Sequence, residues 1–260
     1  MPDVLVLCYH AVSPTWQATF SVTPDTLERQ LSFLVARGWK GAGFTAAVLN
    51  PPAEKTLAVT FDDGFASVFE LAAPILTGLG LPGTVFAPTS FISSQQHQLR
   101  WNGIEGWCST PDAHELRCMS WEHLGELAEQ GWEIGSHTCT HPRLTELAPS
   151  ALRAELGDSL RECSERLGRP CLSVAYPYGA VDVRVAAIAQ EVGYSVGARL
   201  SHSLAQSGPH LWPRVGIFHD DFDLRFQLKV SRLSRAARAS RVWSRPRGPR
   251  AWRTRPAAQT

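Results

Sequence analysis

The first residues equipped for chemistry are two adjacent carboxylates and a glycine, Asp62-Asp63-Gly64, which follow Thr60-Phe61 at the end of an apolar run. Neighbouring side chains in a strand point to opposite faces, but a glycine-permitted turn at a strand end lets both carboxylates reach one mouth. There one can hold a metal while the other takes a proton from water. The same pair also suits a Ca²⁺-binding or solvated acidic turn, or the N-cap of a following helix. His137-Thr138-Cys139-Thr140-His141 closes a second apolar run. Histidines four apart share one side of a helical turn, so both imidazoles can reach one ion. Such pairs are common on surfaces, and this one gains weight from being a second polar cluster at a strand end. Two imidazoles and a carboxylate leave coordination positions open, as catalytic metal sites do. Cys139, between them, is expected to point away and pack. Ala175-Tyr176-Pro177-Tyr178-Gly179 ends a third run. Its turn either presents a backbone N–H to a developing oxyanion or is a turn and nothing more.

The elements that must position these groups are legible in outline. Runs at 4–7, 57–61, 84–87, 132–134, 172–176, 194–198 and 215–218, rich in Val, Ile and aromatic residues, read as strands. They alternate with amphipathic stretches, the pattern of β/α units on a parallel sheet. Thr23 predicts an N-cap, with Pro24 at the first helical position, a Leu27, Leu31 and Leu34 stripe, and a stop at Gly38. Ser120 predicts a cap for a helix over 121–130 ahead of Gly131, and Ser150 precedes a helix with a core stripe through Leu152, Leu156, Leu160, Cys163 and Leu167 that closes at Gly168. Pro74 is expected to bend the helix after Phe65. Residues 88–118 lack periodicity and hold His97, Trp101, Trp107 and His114. A segment that long without regular structure is usually functional or mobile, and following a strand it is expected to wall a cleft.

At 260 residues, with 44% hydrophobic and 19% charged residues, the chain matches one barrel-sized α/β unit and excludes wholesale disorder or a disulfide-dense miniature. Its net charge of +1 hides an asymmetry. Residues 224–260 hold ten Arg, one Lys and no acid, which leaves −10 on residues 1–223. No run approaches the ~18 apolar residues of a membrane span. The six cysteines form no Cys-x-x-Cys pair, and residues 1–7 read as a strand instead of an export signal, so reduced thiols and a cytoplasmic location, peripheral to a membrane at most, are the expectation. The basic end suits an anionic partner, whether nucleic acid, anionic lipid or an acidic polymer, or is a solvated extension.

Together these residues resemble the polysaccharide deacetylases that share the NodB homology domain, carbohydrate esterase family 4. Thr60-Phe61-Asp62-Asp63-Gly64 is similar to the family's first motif, His137 to His141 to its second, and Tyr176-Pro177-Tyr178-Gly179 to a common form of its third. They stand in family order. Glu133-Ile134-Gly135-Ser136, Pro142-Arg143-Leu144 and the opening Tyr9-His10-x-Val12 strengthen the match. The resemblance implies a distorted (β/α) barrel of about seven parallel strands over residues 1–228 and leaves outside it the Arg-rich basic tail over 229–260, whose composition predicts disorder. It also implies a divalent metal ion, most simply Zn²⁺, on Asp63, His137 and His141, with Asp62 as general base. The backbone N–H of Tyr178 would then help hold the oxyanion during removal of an acetyl group from an amino sugar or glycan precursor. His10 is expected at the substrate or just behind it, or else is a hydrogen-bonded histidine of the core.

The pattern departs from the family in two places. Ala175 stands where many members carry an arginine that braces the base, and no Leu-x-His triplet supplies the general acid. His219 and His10 are the candidates for that acid, and His219 reads more simply as a surface residue. Trp101 and Trp107 are candidates for stacking on a pyranose. The expected partner is an N-acetylated saccharide or a lipid-linked or nucleotide-linked sugar. The competing readings are a catalytically degenerate carbohydrate-binding barrel and an amidohydrolase acting on a non-sugar amide.

Overall fold

The computed structural model describes residues 2–93 and 98–240. His97 and residues 241–260, most of the expected basic tail, lie outside the described residues. Ten strands are described: β1 (Asp3–Tyr9), β2 (Ala11–Val12), β3 (Ser21–Val22), β4 (Lys40–Gly41), β5 (Lys55–Phe61), β6 (Gly83–Ala87), β7 (Glu133–Ser136), β8 (Ser173–Ala175), β9 (Val196–Leu200) and β10 (Trp212–Gly216). The main sheet runs β1-β10-β9-β8-β7-β6-β5-β4, and β1 also pairs with β5. Seven strands therefore close into a ring and β4 stays outside it. Every pairing is parallel, and the closing seam is the longest, from Asp3 opposite Lys55 to Tyr9 opposite Phe61. This is the expected distorted barrel, and each of the seven predicted strands overlaps one of its staves. Such strands read as unbroken apolar runs because both of their faces are buried.

One boundary matters for function. The last stave begins at Trp212 and not at Val215 as its apolar run suggested, so Arg214 lies inside it. Val6, Ala58, Phe86, Ala175, Val196 and Ala198 cluster with Phe44 and Ala47 of the short helix Phe44–Leu49. Residues two apart on a strand share a face, so Cys8 and Thr60 continue this inward set. Arg214 does too, because the register that sets Leu7 beside Val215 sets it level with Val6.

The helices start and stop largely where their chemistry dictates. Thr23 Oγ1 accepts the Thr26 N–H at 3.2 Å, with Pro24 at the start of α1 (Pro24–Val35), whose Leu27, Leu31 and Leu34 are buried. We label Phe44–Leu49 α2. Pro74 has no N–H to donate and crowds the carbonyl four residues back. The chain accordingly widens into a π turn over Val68–Ala72 before α3 (Ala73–Gly78). Ser120 and His123 form a reciprocal cap on α4 (Trp121–Glu129). Helix α5 (Pro149–Leu167) starts with Pro149 at its first position and Ala148 as N-cap, slightly ahead of the expected Ser150, and ends on left-handed Gly168. Asp182 caps α6 (Val183–Glu191) at 2.8 Å. The expected boundary at residue 228 falls within α7 (Asp223–Val230). Helix α8 (Arg232–Ala239) follows, tied to the start of β1 by a two-point pair between Arg235 and Asp3. Among the described residues no helix is long and apolar enough to cross a membrane.

Candidate active site

The polar residues singled out in the sequence gather at the C-terminal ends of the barrel strands, where this architecture builds its sites. His10 follows β1, Asp62 and Asp63 follow β5, His137 to His141 follow β7, and Tyr176 to Gly179 follow β8. Among the described residues, four that are not glycine have positive φ: Asp63 (71°), Thr138 (68°), His141 (59°) and Tyr178 (59°). All four belong to these motifs. Each such conformation costs about 1–3 kcal/mol and persists only where the surroundings enforce it, which is typical of functional sites. At Asp63 it turns the carboxylate that strand alternation would send outward back into the mouth beside Asp62. Gly179 must be glycine, since a Cβ there would lie 2.2 Å from the Leu200 carbonyl oxygen.

Asp63, His137 and His141 converge. Asp63 Oδ1 lies 3.3 Å from His137 Nε2 and 3.2 Å from His141 Nε2, and all three residues are buried. His137 Nδ1 lies 2.8 Å from the Ala175 carbonyl oxygen and donates its proton there, which leaves Nε2 as the nitrogen turned toward the Asp63 carboxylate. Acceptors aimed at one point are an arrangement that a cation satisfies, and two imidazoles with a carboxylate suit Zn²⁺ or a similar divalent ion. The Ala175 carbonyl fixes the ring tautomer, as the outer partner of a metal-bound histidine does. Burial opposes charge on His137, and the Asp63 carboxylate outweighs it and raises the pKa. At His141 burial prevails and lowers it.

Asp62 is 3% exposed and has hydrogen-bond partners of its own. Its oxygens receive Arg214 Nη1 at 2.6 Å and Nη2 at 2.7 Å, and the Cys8 thiol lies 3.5 Å from Oδ2. Arg214 Nη1 also donates to Thr60 Oγ1 at 3.0 Å. Burial pushes the Asp62 pKa up, but the guanidinium outweighs it and holds the carboxyl below its ordinary value. Arg214 is the functional residue that the sequence reading missed. The signal available was a single arginine between Pro213 and the apolar Val215-Gly216-Ile217.

The two histidines do not share a helical turn. Residues 137–141 form an irregular loop in which Thr138 and His141 are left-handed, so the equivalence of positions four apart does not apply. Hydrogen bonds from several parts of the chain hold the loop instead, including the N–H groups of Thr89 and Ser90 on the Thr138 and Cys139 carbonyls at 3.0 Å. Thr138 Oγ1 accepts the His141 N–H at 3.1 Å. Glu155 of α5 accepts the N–H groups of Cys139 at 2.9 Å and Thr140 at 3.0 Å, and the Thr140 hydroxyl at 2.6 Å. Cys139 packs against α5 as expected, with its sulfur 3.6 Å from the Glu155 carbonyl oxygen and its thiol pKa pushed up to about 11 by burial.

A cleft of about 810 Å³ opens over these groups. The irregular segment supplies one wall through Trp101, Trp107 and neighbouring residues, as expected for a loop of its length, and Tyr178 and Arg143 line another part. Trp101 stacks on the His141 ring with centroids 4.1 Å apart, and Trp107 meets buried Trp16 edge-on at 5.5 Å. Tyr178 packs on His141 at 4.7 Å and donates its hydroxyl to the Asn102 carbonyl at 2.9 Å. His10 lines the cleft, buried, with a ring nitrogen, the Cys8 sulfur and an Asp62 oxygen all within 4.8 Å of one another. Burial lowers its pKa while the two carboxylates act in the opposite direction. His219 does not line the cleft. Its Nδ1 is 3.2 Å from the Ser21 carbonyl oxygen, and its backbone N–H donates to Thr19.

A family model described as polysaccharide deacetylase matches residues 49–197, more than half of the chain and all three motifs. The chain belongs to the polysaccharide deacetylase family. YxkH of Bacillus subtilis (strain 168) is 24% identical over 197 residues, 74% of this chain and 62% of that protein. A Staphylococcus aureus (strain MSSA476) poly-beta-1,6-N-acetyl-D-glucosamine N-deacetylase is 22% identical over 181 residues, 65% of this chain and 57% of its own. The chain thus spans less than two thirds of the length of these curated relatives. The solved structure of Streptococcus pyogenes deacetylase PplD in complex with acetate superposes with a TM-score of 0.72 at 22% identity, covering 89% of this chain and 100% of that one. IcaB from Ammonifex degensii gives 0.67 at 21% identity, covering 89% and 98%. These likenesses establish the fold. Within this deacetylase family, the arginine expected near Ala175 has a spatial counterpart here: Arg214 reaches the Asp62 carboxylate from two staves away.

Proposed function

We propose that this chain is a metal-dependent carbohydrate N-deacetylase. The observation that carries the reading is the convergence of Asp63, His137 and His141 on one point beside the ionised, arginine-braced carboxylate of Asp62, at the floor of an aromatic-walled cleft. Asp63, His137 and His141 would hold a divalent ion, most simply Zn²⁺. Bound there, the ion would polarise the acetyl carbonyl and acidify a water. Asp62 takes the proton of the attacking water, and Arg214 fixes the orientation of its carboxylate and keeps it charged before each turnover. The left-handed turn at Tyr178 directs its backbone N–H toward the developing oxyanion. His10, the imidazole of the cleft outside the proposed metal ligands, lies within 4.8 Å of an Asp62 oxygen, contacts the substrate, and relays to the leaving amine the proton that Asp62 took from water.

The substrate class we propose is an N-acetylated amino sugar in a glycan or glycan precursor. Family membership and the activity named for the staphylococcal relative support it, as do the rings of Trp101, Trp107 and Tyr178 along the cleft. Arg214 also supplies the brace whose absence near Ala175 had favoured a barrel that binds sugar without turnover. The test is acetate release from poly-N-acetylglucosamine and chitin oligomers and from lipid- or nucleotide-linked N-acetylglucosamine, with cyclic amides as the non-sugar arm. We expect release from a saccharide, loss on chelation and recovery with Zn²⁺. In Asp62→Asn, activity should fall about 10²–10⁴-fold with metal content unchanged. Acetate release that survives both chelation and Asp62→Asn would overturn the proposal, as would turnover of cyclic amides alone.

A further inference from the structure

The two imidazoles of the proposed metal triad are fixed in unlike ways. His137 makes the hydrogen bond that orients a metal-bound ring, from Nδ1 to the Ala175 carbonyl oxygen. His141 is 5% exposed, and among the described residues its buried Nδ1 has no hydrogen-bond partner. Its backbone N–H is held by Thr138 Oγ1, so the ring is what remains to be aimed. Aromatic side chains press on that ring. Trp101 lies against it with centroids 4.1 Å apart and planes 26° from parallel, and Tyr178 packs on it at 4.7 Å and 66°. The two are tied to each other, because the Tyr178 hydroxyl donates at 2.9 Å to the carbonyl of Asn102, the residue after Trp101. Trp101 also packs on Phe91 at 5.2 Å. Phe91 ends the helical turn Thr89–Phe91, whose Thr89 and Ser90 N–H groups donate to the histidine loop. The half-buried indole is thus anchored, through Phe91, to the loop that carries the ligand.

We propose that Trp101 is a positioning residue for the metal site: stacked on His141, it aims the imidazole at Asp63 in place of the outer hydrogen bond that this ring lacks. The proposal rests on the metal-dependent reading above. A stack resists tilting, because rotation of the imidazole about its Cβ–Cγ bond breaks contact over the whole face. A ligand already aimed in the metal-free protein loses less freedom when the cation arrives, and affinity rises accordingly. The wall of the cleft therefore serves the metal as well as the sugar. The coupling is reciprocal: whatever Trp101 contributes to metal binding, the metal returns by holding the segment that carries Trp101.

Competition titration with a chromophoric chelator measures the Zn²⁺ affinity of the full 260-residue chain and of two variants. Trp101→Leu keeps an apolar side chain without a flat face and should bind Zn²⁺ about tenfold more weakly, the lower end of what losing an outer partner costs. Trp101→Phe restores a ring and should recover most of the affinity. The metal-free melting temperatures of the two variants should match, which separates aiming from folding. In the wild-type chain, amide exchange at residues 98–107 should slow on Zn²⁺ loading, a measurement that needs no variant. Equal Zn²⁺ affinity in wild type and Trp101→Leu overturns the proposal, as does equal weakening in both variants or unaltered exchange in the wild type. A tryptophan used for sugar stacking alone would give the first of these results, with a raised KM. A metal-free Trp101→Leu that melts well below Trp101→Phe would assign the effect to folding and overturn it too. A wild-type chain that binds no Zn²⁺ refutes the metal-dependent reading and this one with it, whereas binding that ignores Trp101 refutes this one alone.

Discussion

A buried carboxylate with no partner would lose several kcal/mol of solvation or take up a proton, and either outcome would remove the base. Arg214 prevents both with two hydrogen bonds to Asp62, from a side chain that is itself wholly buried and raised in pKa by that carboxylate against the opposing effect of burial. The guanidinium also anchors on Thr60 and lies over the Phe86 ring. Arg214→Met should therefore destabilise the protein by about 3–5 kcal/mol, because it strands the charge of Asp62 in the barrel. Arg214→Lys should restore part of the stability and little of the activity, since an ammonium cannot make the planar two-point contact. Urea titrations beside acetate assays check both halves. Sequence reasoning recognised that Asp62 needed an orienting group but could not name it, because the partner is 152 positions away and its stave was read as starting at Val215, three residues too late, which left Arg214 out.

Among the elements, the strands deliver the site and one helix locks it. β7 ends at Ser136, and the next five residues are held on one side by the N–H groups of Thr89 and Ser90, which donate to the Thr138 and Cys139 carbonyls, and on the other by α5, whose Glu155 takes three hydrogen bonds from Cys139 and Thr140. That grip lies between the two histidines and holds His141 in a left-handed conformation it would not adopt freely. Glu155→Gln keeps the size of the side chain but replaces one acceptor oxygen with a donor NH₂. We expect metal affinity to fall about 10–100-fold, as for the loss of other groups that orient ligands. Zn²⁺ titration with a competing chelator reads this directly, while the melting temperature of metal-free protein, which a merely structural role would lower, should change little. The helices were readable because caps and stripes are local: Thr23, Ser120 and Gly168 act where expected. The His-x-x-x-His segment was misread as helical because spacing alone carries no information about a clamp from another element.

Over the whole molecule, closure of β1 on β5 brings the start of the chain to its first acidic motif and seals Asp62 and Arg214 inside the ring. The Asp62 pKa is lower in the folded protein than in the unfolded chain. Its contribution to stability is therefore complete above about pH 4 and is lost as pH falls from there toward the depressed folded value. The unfolding free energy of the wild-type protein should drop more steeply than that of Asp62→Asn on acidification below about pH 4, measured by urea denaturation at a series of pH values. Equal slopes would mean that the pair contributes nothing to acid sensitivity.

What the sequence determined by itself was whatever depends on neighbours along the chain. Apolar runs separated by amphipathic stretches set a parallel barrel, and the residues ending two of those runs marked Asp62, Asp63, His137 and His141, the side chains on which the proposed chemistry rests. Even the wall of the cleft was visible, as a long segment without period. The tertiary structure alone decided which arginine neutralises Asp62, which carboxylate clamps the histidine loop, that His219 stands apart from the cleft while His10 lines it, and that Arg235 of α8 ties back to Asp3. The physical reason is that buried charges and strained backbone are satisfied by whatever the fold brings near. Ring closure makes neighbours of residues whose separation in the chain says nothing about their distance in space.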